Sequence, residues 1–124
     1  MLPGTTFGAH GIDVQPKASG QYSVYAVNHA ARESIEIFDM DTKGAKPVLT
    51  WIGCVVLPAK ASGNGVVGLP DGGFITTNFK DPADKDAFQH MTEMKITGEV
   101  LEWHPGKGWS TLPDSAMSGA NGVA

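Results

Sequence analysis

Cysteine is almost missing from this chain: Cys54 stands alone among 124 residues. That excludes an internal disulfide framework and a cysteine-built zinc centre. Its setting, "WIGCVVLP", marks it as a small buried apolar residue before it marks a nucleophile. Basic charge is also scarce, with 9 Lys and Arg against 13 Asp and Glu, a net charge of -4 and a pI near 5.4. No basic stripe is available to hold nucleic acid or an anionic membrane. Nor does any stretch approach the ~20 apolar residues of a membrane-spanning helix. The opening "MLPGTTFGAH" shows neither the positive region nor the apolar run of a secretory leader, so no compartment is assigned. Long helical patterns are lacking too. The 16 Gly and 8 Pro are spread along the chain, and they predict many short elements joined by turns.

What the chain does have is strand-like text. "QYSVYAVNH" (21–29) is aromatic and β-branched, and "ESIEIFDMD" (33–41) alternates polar with apolar. "PVLTWIGCVVLP" (47–58) is a more continuous apolar run, expected for a strand covered on both faces. The cycle then restarts with "NGVVGLP", the turn "PDGG", "FITTNF", "GEVLEWHPGKGW" and "STLP". The polar insertion 81–98 is expected to hold one short helix after Pro82, with charged residues in its first turn. Trp51, Trp103 and Trp109 are expected to pack between sheets. Asp39, Asp41, Asp81, Asp84 and Asp86, with His90 and His104, are expected at the surface.

A short phrase recurs. His10-Gly11-Ile12, Asn64-Gly65-Val66 and Asn121-Gly122-Val123 share the form polar, glycine, β-branched, at separations of 54 and 57 residues. The first two are each followed by a turn and a strand ending in Asn, at Asn28 and Asn78. A four-stranded unit repeating every 40 to 60 residues or so is the signature of a β-propeller blade. The expected fold is therefore all-β: about two blades (8–58 and 62–113) and the first strand of a third (118–124), within one domain spanning 1–124. Two blades cannot close a ring, so the chain is expected to be a piece of a larger propeller, whose remainder would be its partner. The rival is a small stand-alone all-β domain.

In a propeller the first strand of each blade lines the central channel, so these polar residues would project toward one axis. Amide oxygens converging there suit calcium, which takes six to eight oxygen ligands at about 2.3 to 2.6 Å. Asn64 and Asn121 are the candidate ligands; the plain alternative is that each Asn-Gly makes only a turn. His10 opens the first inner strand and His29 closes the next. Antiparallel pairing would put both rings at one channel mouth, where they could activate water for attack on an ester or lactone. The plain alternative is a pair of structural imidazoles.

The ordered set "HGI", "YAVNH", "NGVVGLPDGGFITTN" and "ANGV" resembles the paraoxonase-type arylesterases and lactonases, and more broadly the gluconolactonase and strictosidine-synthase-like six-bladed propellers. It runs from about residue 7 to 124. The resemblance implies that His10 and His29 activate the hydrolytic water. It also implies that Asn64 and Asn121 hold a catalytic calcium, and that the Ile12 carbonyl binds a second, structural calcium. The family has an aspartate directly after the first asparagine, whereas this chain has Gly65. The function expected is calcium-dependent hydrolysis of small lactones or aryl esters, with a non-hydrolytic binding or scaffold propeller as the alternative.

Overall fold

The computed structural model describes residues 6–124; the reading of residues 1–5 as lacking a leader pattern lies outside the described residues. The chain folds as two four-stranded antiparallel sheets in which strands follow one another in sequence order. The first holds β1 (Ala9–Ala18), β2 (Gln21–Asn28), β3 (Ser34–Asp41) and β4 (Val48–Val56). The second holds β5 (Ser62–Gly68), β6 (Phe74–Lys80), β7 (Glu99–His104) and β8 (Gly108–Thr111). Successive short strands joined by turns, several of them containing glycine, produce this order because each connection returns the chain beside the strand it has just left. At the first hairpin, Ala18 pairs with Gln21 and Gly20 takes φ 69°, the positive value a tight two-residue connection needs.

The sheets meet where β5 packs against β1 and β2. Tyr25, Val27, Ile35, Leu57, Ala61, Val66, Phe74 and Leu101 form one buried apolar cluster. Trp103 stacks on Phe74 at 5.4 Å and Trp109 meets it edge-on at 5.5 Å, while the Trp109 indole N–H donates to the Val56 carbonyl across the sheets at 3.2 Å. Trp51 departs from the expected packing role. It stands on β4 and donates to the Glu36 carboxylate at 2.7 Å within its own sheet. Glu36 is fully buried, and burial alone would raise its carboxyl. The Ser34 hydroxyl, the Arg32 guanidinium and the Trp51 indole outweigh that and hold it below the usual carboxylate range.

Three expectations need correction. Strand β4 is not covered on both faces: it is the outermost strand of its sheet, and Val48, Leu49, Ile52 and Val56 are exposed, with Cys54 only half-buried. A continuous apolar run reads the same whether a second layer is present or not. The insertion does hold one helix, α1 (Ala87–Thr92), but it starts later than Pro82 suggests and has no acidic residue in its first turn. Asp81 accepts from the Ala83 N–H and Asp84 from the Asp86 N–H, so side chains satisfy the backbone in turns and delay the helix. Finally, 118–124 forms no strand among the described residues, although Gly98 and Met117 make a single bridge just before it. The helix is too short and polar to cross a membrane, as is every helix among the described residues.

The recurring phrase marks a recurring structure. The β1–β2 register shifts between Ala9 and Ile12, and the β5–β6 register shifts between Gly63 and Val66, so His10-Gly11 and Asn64-Gly65 both sit in bulges. In each sheet an Asn of the second strand ties down the chain just before the bulge: Asn28 ends β2 as expected, whereas β6 runs two residues past Asn78 to Lys80. Asn28 Oδ1 accepts from the Gly8 N–H and Asn78 Oδ1 from the Ser62 N–H, both at 2.9 Å. The glycines let these segments touch. A Cβ on Gly11 would lie 2.3 Å from the Asn64 carbonyl oxygen, and one on Gly65 would lie 2.7 Å from the Val123 nitrogen. Backbone atoms cannot swing aside as a side chain can. Gly11→Ala and Gly65→Ala are each expected to destabilise the fold by about 1–3 kcal/mol, the usual cost of overpacking. Gly53→Ala, where an added Cβ meets nothing within 4 Å, is the near-neutral control. Urea midpoints of the three variants check this.

Candidate functional site

The bulge at the start of β1 decides where His10 goes. Ala9 pairs with Asn28, the His29 N–H donates to the Gly8 carbonyl at 3.0 Å, and the two residues after Ala9 lie outside the ladder. Bulges re-aim side chains. Here the result brings His10 Nδ1 to 3.0 Å from His29 Nε2, with the rings edge-on at a centroid distance of 5.3 Å. The two histidines chosen from sequence spacing therefore meet.

A residue that the sequence reading passed over completes the group. Glu33, in the loop after β2, holds both carboxylate oxygens 2.9 Å from His29 Nδ1. Its Oε2 also accepts from the Gly63 N–H at 3.2 Å, and its backbone oxygen accepts from the Leu57 N–H at 3.0 Å. Arg32, its neighbour in sequence, is committed to Glu36 at 2.8 Å and does not neutralise it. Three titratable groups thus form a chain from Glu33 through His29 to His10. The group opens to solvent, with the side chains of His29 and Glu33 34% and 27% exposed. The available signal was the spacing of His29 and Glu33 in the loop after a strand that ends in Asn.

The asparagines lie on adjacent segments. Gly11 packs on Asn64 and Gly65, and Gly65 packs on Gly122 and Val123, so the three copies of the phrase stand side by side. The bulge around Asn64 is fastened by two buried threonines: Thr77 Oγ1 accepts from the Gly65 N–H at 2.9 Å, and Thr76 Oγ1 donates to the Gly65 carbonyl at 2.7 Å. Asn64 itself is buried, yet no fully buried side-chain polar atom among the described residues lacks a partner. Its carboxamide has no hydrogen-bond partner among the described residues. Asn121 is exposed, and its Oδ1 accepts from the Gly122 N–H at 2.9 Å.

Tested as calcium ligands, these residues fit in part. A buried carboxamide oxygen with no partner among the described residues is a suitable hard donor, and Asn121 Oδ1 retains a second lone pair. Both are neutral, and among the described residues no group of three or more His, Cys, Asp or Glu is arranged to hold a metal. Ile12 lies in the ladder opposite Ala26 with an exposed side chain, and Gly65 supplies no carboxylate beside Asn64.

The other two histidines stand apart. His90, on α1, pairs through Nδ1 with Asp84 at 2.9 Å. That contact, with the Asp86 N–H, holds the Asp84 carboxyl below its usual range. His104 is placed between Glu102, 2.5 Å from Nε2, and Asp71, 2.6 Å from Nδ1. The Glu102 contact and then the Asp71 contact raise its pKa above the ordinary 6.5. Asp71 is held low, first by the Gly73 N–H and then by His104. This clamp borders an open cleft lined in part by Tyr25, Leu69, Asp71, Trp103 and Pro105, and none of His10, His29, Asn64 and Asn121 lines that cleft.

The His104 clamp has a definite pH signature. A folded pKa raised above the unfolded value means its stabilisation is complete below about pH 6.5 and is lost as pH rises through the folded value. In wild type, urea midpoints should fall over that range. His104→Gln should remove this component while leaving the acid-side loss, which comes from lowered carboxyls such as Asp84, in place. A midpoint profile from pH 2 to 9 reads both.

Compared with family models, with curated proteins and with solved structures, the chain matches none, so the functional reading rests on the geometry of these residues.

Proposed function

We propose that the two sheets are adjacent blades of a six-bladed β-propeller, and that the chain carries part of the active site of a calcium-dependent hydrolase acting on lactones or aryl esters. The observation that carries this reading is the 3.0 Å contact between His10 and His29 beside the packed starts of β1 and β5. An imidazole pair open to solvent is suited to taking a proton from water at neutral pH. The sequential order of the strands and the side-by-side bulges support the blade assignment.

In this reading Asn64 and Asn121 supply two of the oxygen ligands, and further ligands come from other blades. When bound, calcium would polarise the substrate carbonyl and stabilise the oxyanion. The protein's own residues bind and orient. The bulge at Asn64, fastened by Thr76 and Thr77, holds its carboxamide in place. The histidine pair receives a proton from the attacking water and returns it to the leaving oxygen.

A full-length protein that includes the remaining blades should hydrolyse phenyl acetate or a simple γ- or δ-lactone, and chelation should abolish the activity and lower the melting temperature. His10→Gln should reduce kcat by about 100-fold or more, as expected for loss of a general base, with calcium-dependent stabilisation retained. Absence of hydrolysis together with a melting temperature indifferent to calcium would overturn the proposal. Calcium-dependent stabilisation with no hydrolysis would favour the binding or scaffold propeller instead.

A further inference from the structure

The histidine pair has two possible proton arrangements when both rings are neutral, and only one leaves a free base facing outward. If His29 carries its proton on Nδ1, its Nε2 lone pair accepts from His10 Nδ1–H, and His10 Nε2 is left with a lone pair. In the reverse arrangement His29 Nε2–H donates to His10 Nδ1, and His10 Nε2 carries a proton and cannot act as a base. The choice is made at His29 Nδ1, on the far side of the ring from His10.

We propose that Glu33 is the positioning residue that makes this choice and thereby assigns His10 Nε2 as the proton acceptor. The proposal rests on the hydrolase reading above and deepens it. A carboxylate has no proton to give, so His29 Nδ1, held 2.9 Å from both Glu33 oxygens, must be the donor. His29 Nε2 then accepts, and the 3.0 Å contact runs from His10 Nδ1–H to His29 Nε2. Glu33 is fixed for this task by the Gly63 and Leu57 N–H groups, one of which belongs to the second sheet. With Arg32 paired to Glu36, the Glu33 charge is directed at His29.

The reaction then has a defined direction. The water oxygen forms a bond to the acyl carbon while its proton moves to His10 Nε2. Collapse of the tetrahedral adduct breaks the bond between the acyl carbon and the leaving oxygen, and the proton on Nε2 passes to that oxygen. His29 stabilises the His10 imidazolium by accepting its Nδ1–H, and Glu33 stabilises His29 in turn. Glu33 acts through His29, whose Nδ1 it faces, so its effect appears in the protonation pattern of the rings and in kcat.

Side-chain nitrogen NMR of the full chain, uniformly labelled with nitrogen-15 and recorded with both rings neutral, tests this directly. Wild type is expected to show His29 and His10 both as the Nδ1–H tautomer; His29 as the Nε2–H tautomer overturns the proposal. Glu33→Gln should give mixed tautomers and lower kcat by about 100-fold with KM changed less than about threefold. Unchanged tautomers with kcat within about twofold of wild type would overturn it as well. A full-length protein with all its blades that hydrolyses neither ester nor lactone refutes the hydrolase reading, whereas the nitrogen spectra still decide the role of Glu33.

Discussion

The structure depends on backbone meeting backbone without side chains between. At Gly11 and Gly65 the starts of neighbouring strands approach so closely that a methyl group would overlap a carbonyl oxygen or an amide nitrogen. This contact aligns the three copies of the phrase, seats β5 against β1, and sets the histidine pair beside Asn64. It coincides with a bulge in each sheet, and the two features need each other. The bulge frees the polar residue from the ladder, and the glycine beside it allows the next segment to come near enough for those polar groups to share a region.

A bulge leaves backbone groups unpaired, and the surrounding side chains are chosen to satisfy them. Thr76 and Thr77 bond both backbone groups of Gly65, while Asn28 and Asn78 hold the chain ahead of each bulge. Buried polar groups of this kind are costly when unmatched, and the described residues contain no fully buried side-chain nitrogen or oxygen without a partner. Glu36 follows the same rule: Ser34, Arg32 and Trp51 make a buried carboxylate tolerable. The apolar cluster around Phe74 supplies the burial, and the polar ties supply the register.

The histidines separate into two electrostatic settings. His104 is clamped between two carboxylates that favour its charged form, which suits an ion pair joining the β5–β6 turn to β7. His29 meets a carboxylate at one nitrogen and another imidazole at the other, so the influence of Glu33 passes through the ring to His10. A clamp stores a proton, whereas a relay directs one.

Periodicity and turn residues were enough to read β2, β3, β5 and β6 and the division into two four-stranded units, because alternation and glycine turns act over a few neighbouring residues. The places of His10 at the start of one strand and His29 at the end of the next were also enough to bring them together, since hairpin pairing relates their positions within one sheet. Burial of β4 was not legible, because an apolar run cannot report whether a second layer lies above it. Glu33 escaped for a related reason: its role depends on which way the loop after β2 turns and on the Gly63 amide arriving from the other sheet. Local chemistry along the chain fixed the elements and the histidine pair. Only the meeting of the two sheets decided which strand faces stay open, which carboxylate reaches His29, and how closely Asn64 stands to the segment carrying Asn121, since these depend on contacts between residues far apart in sequence.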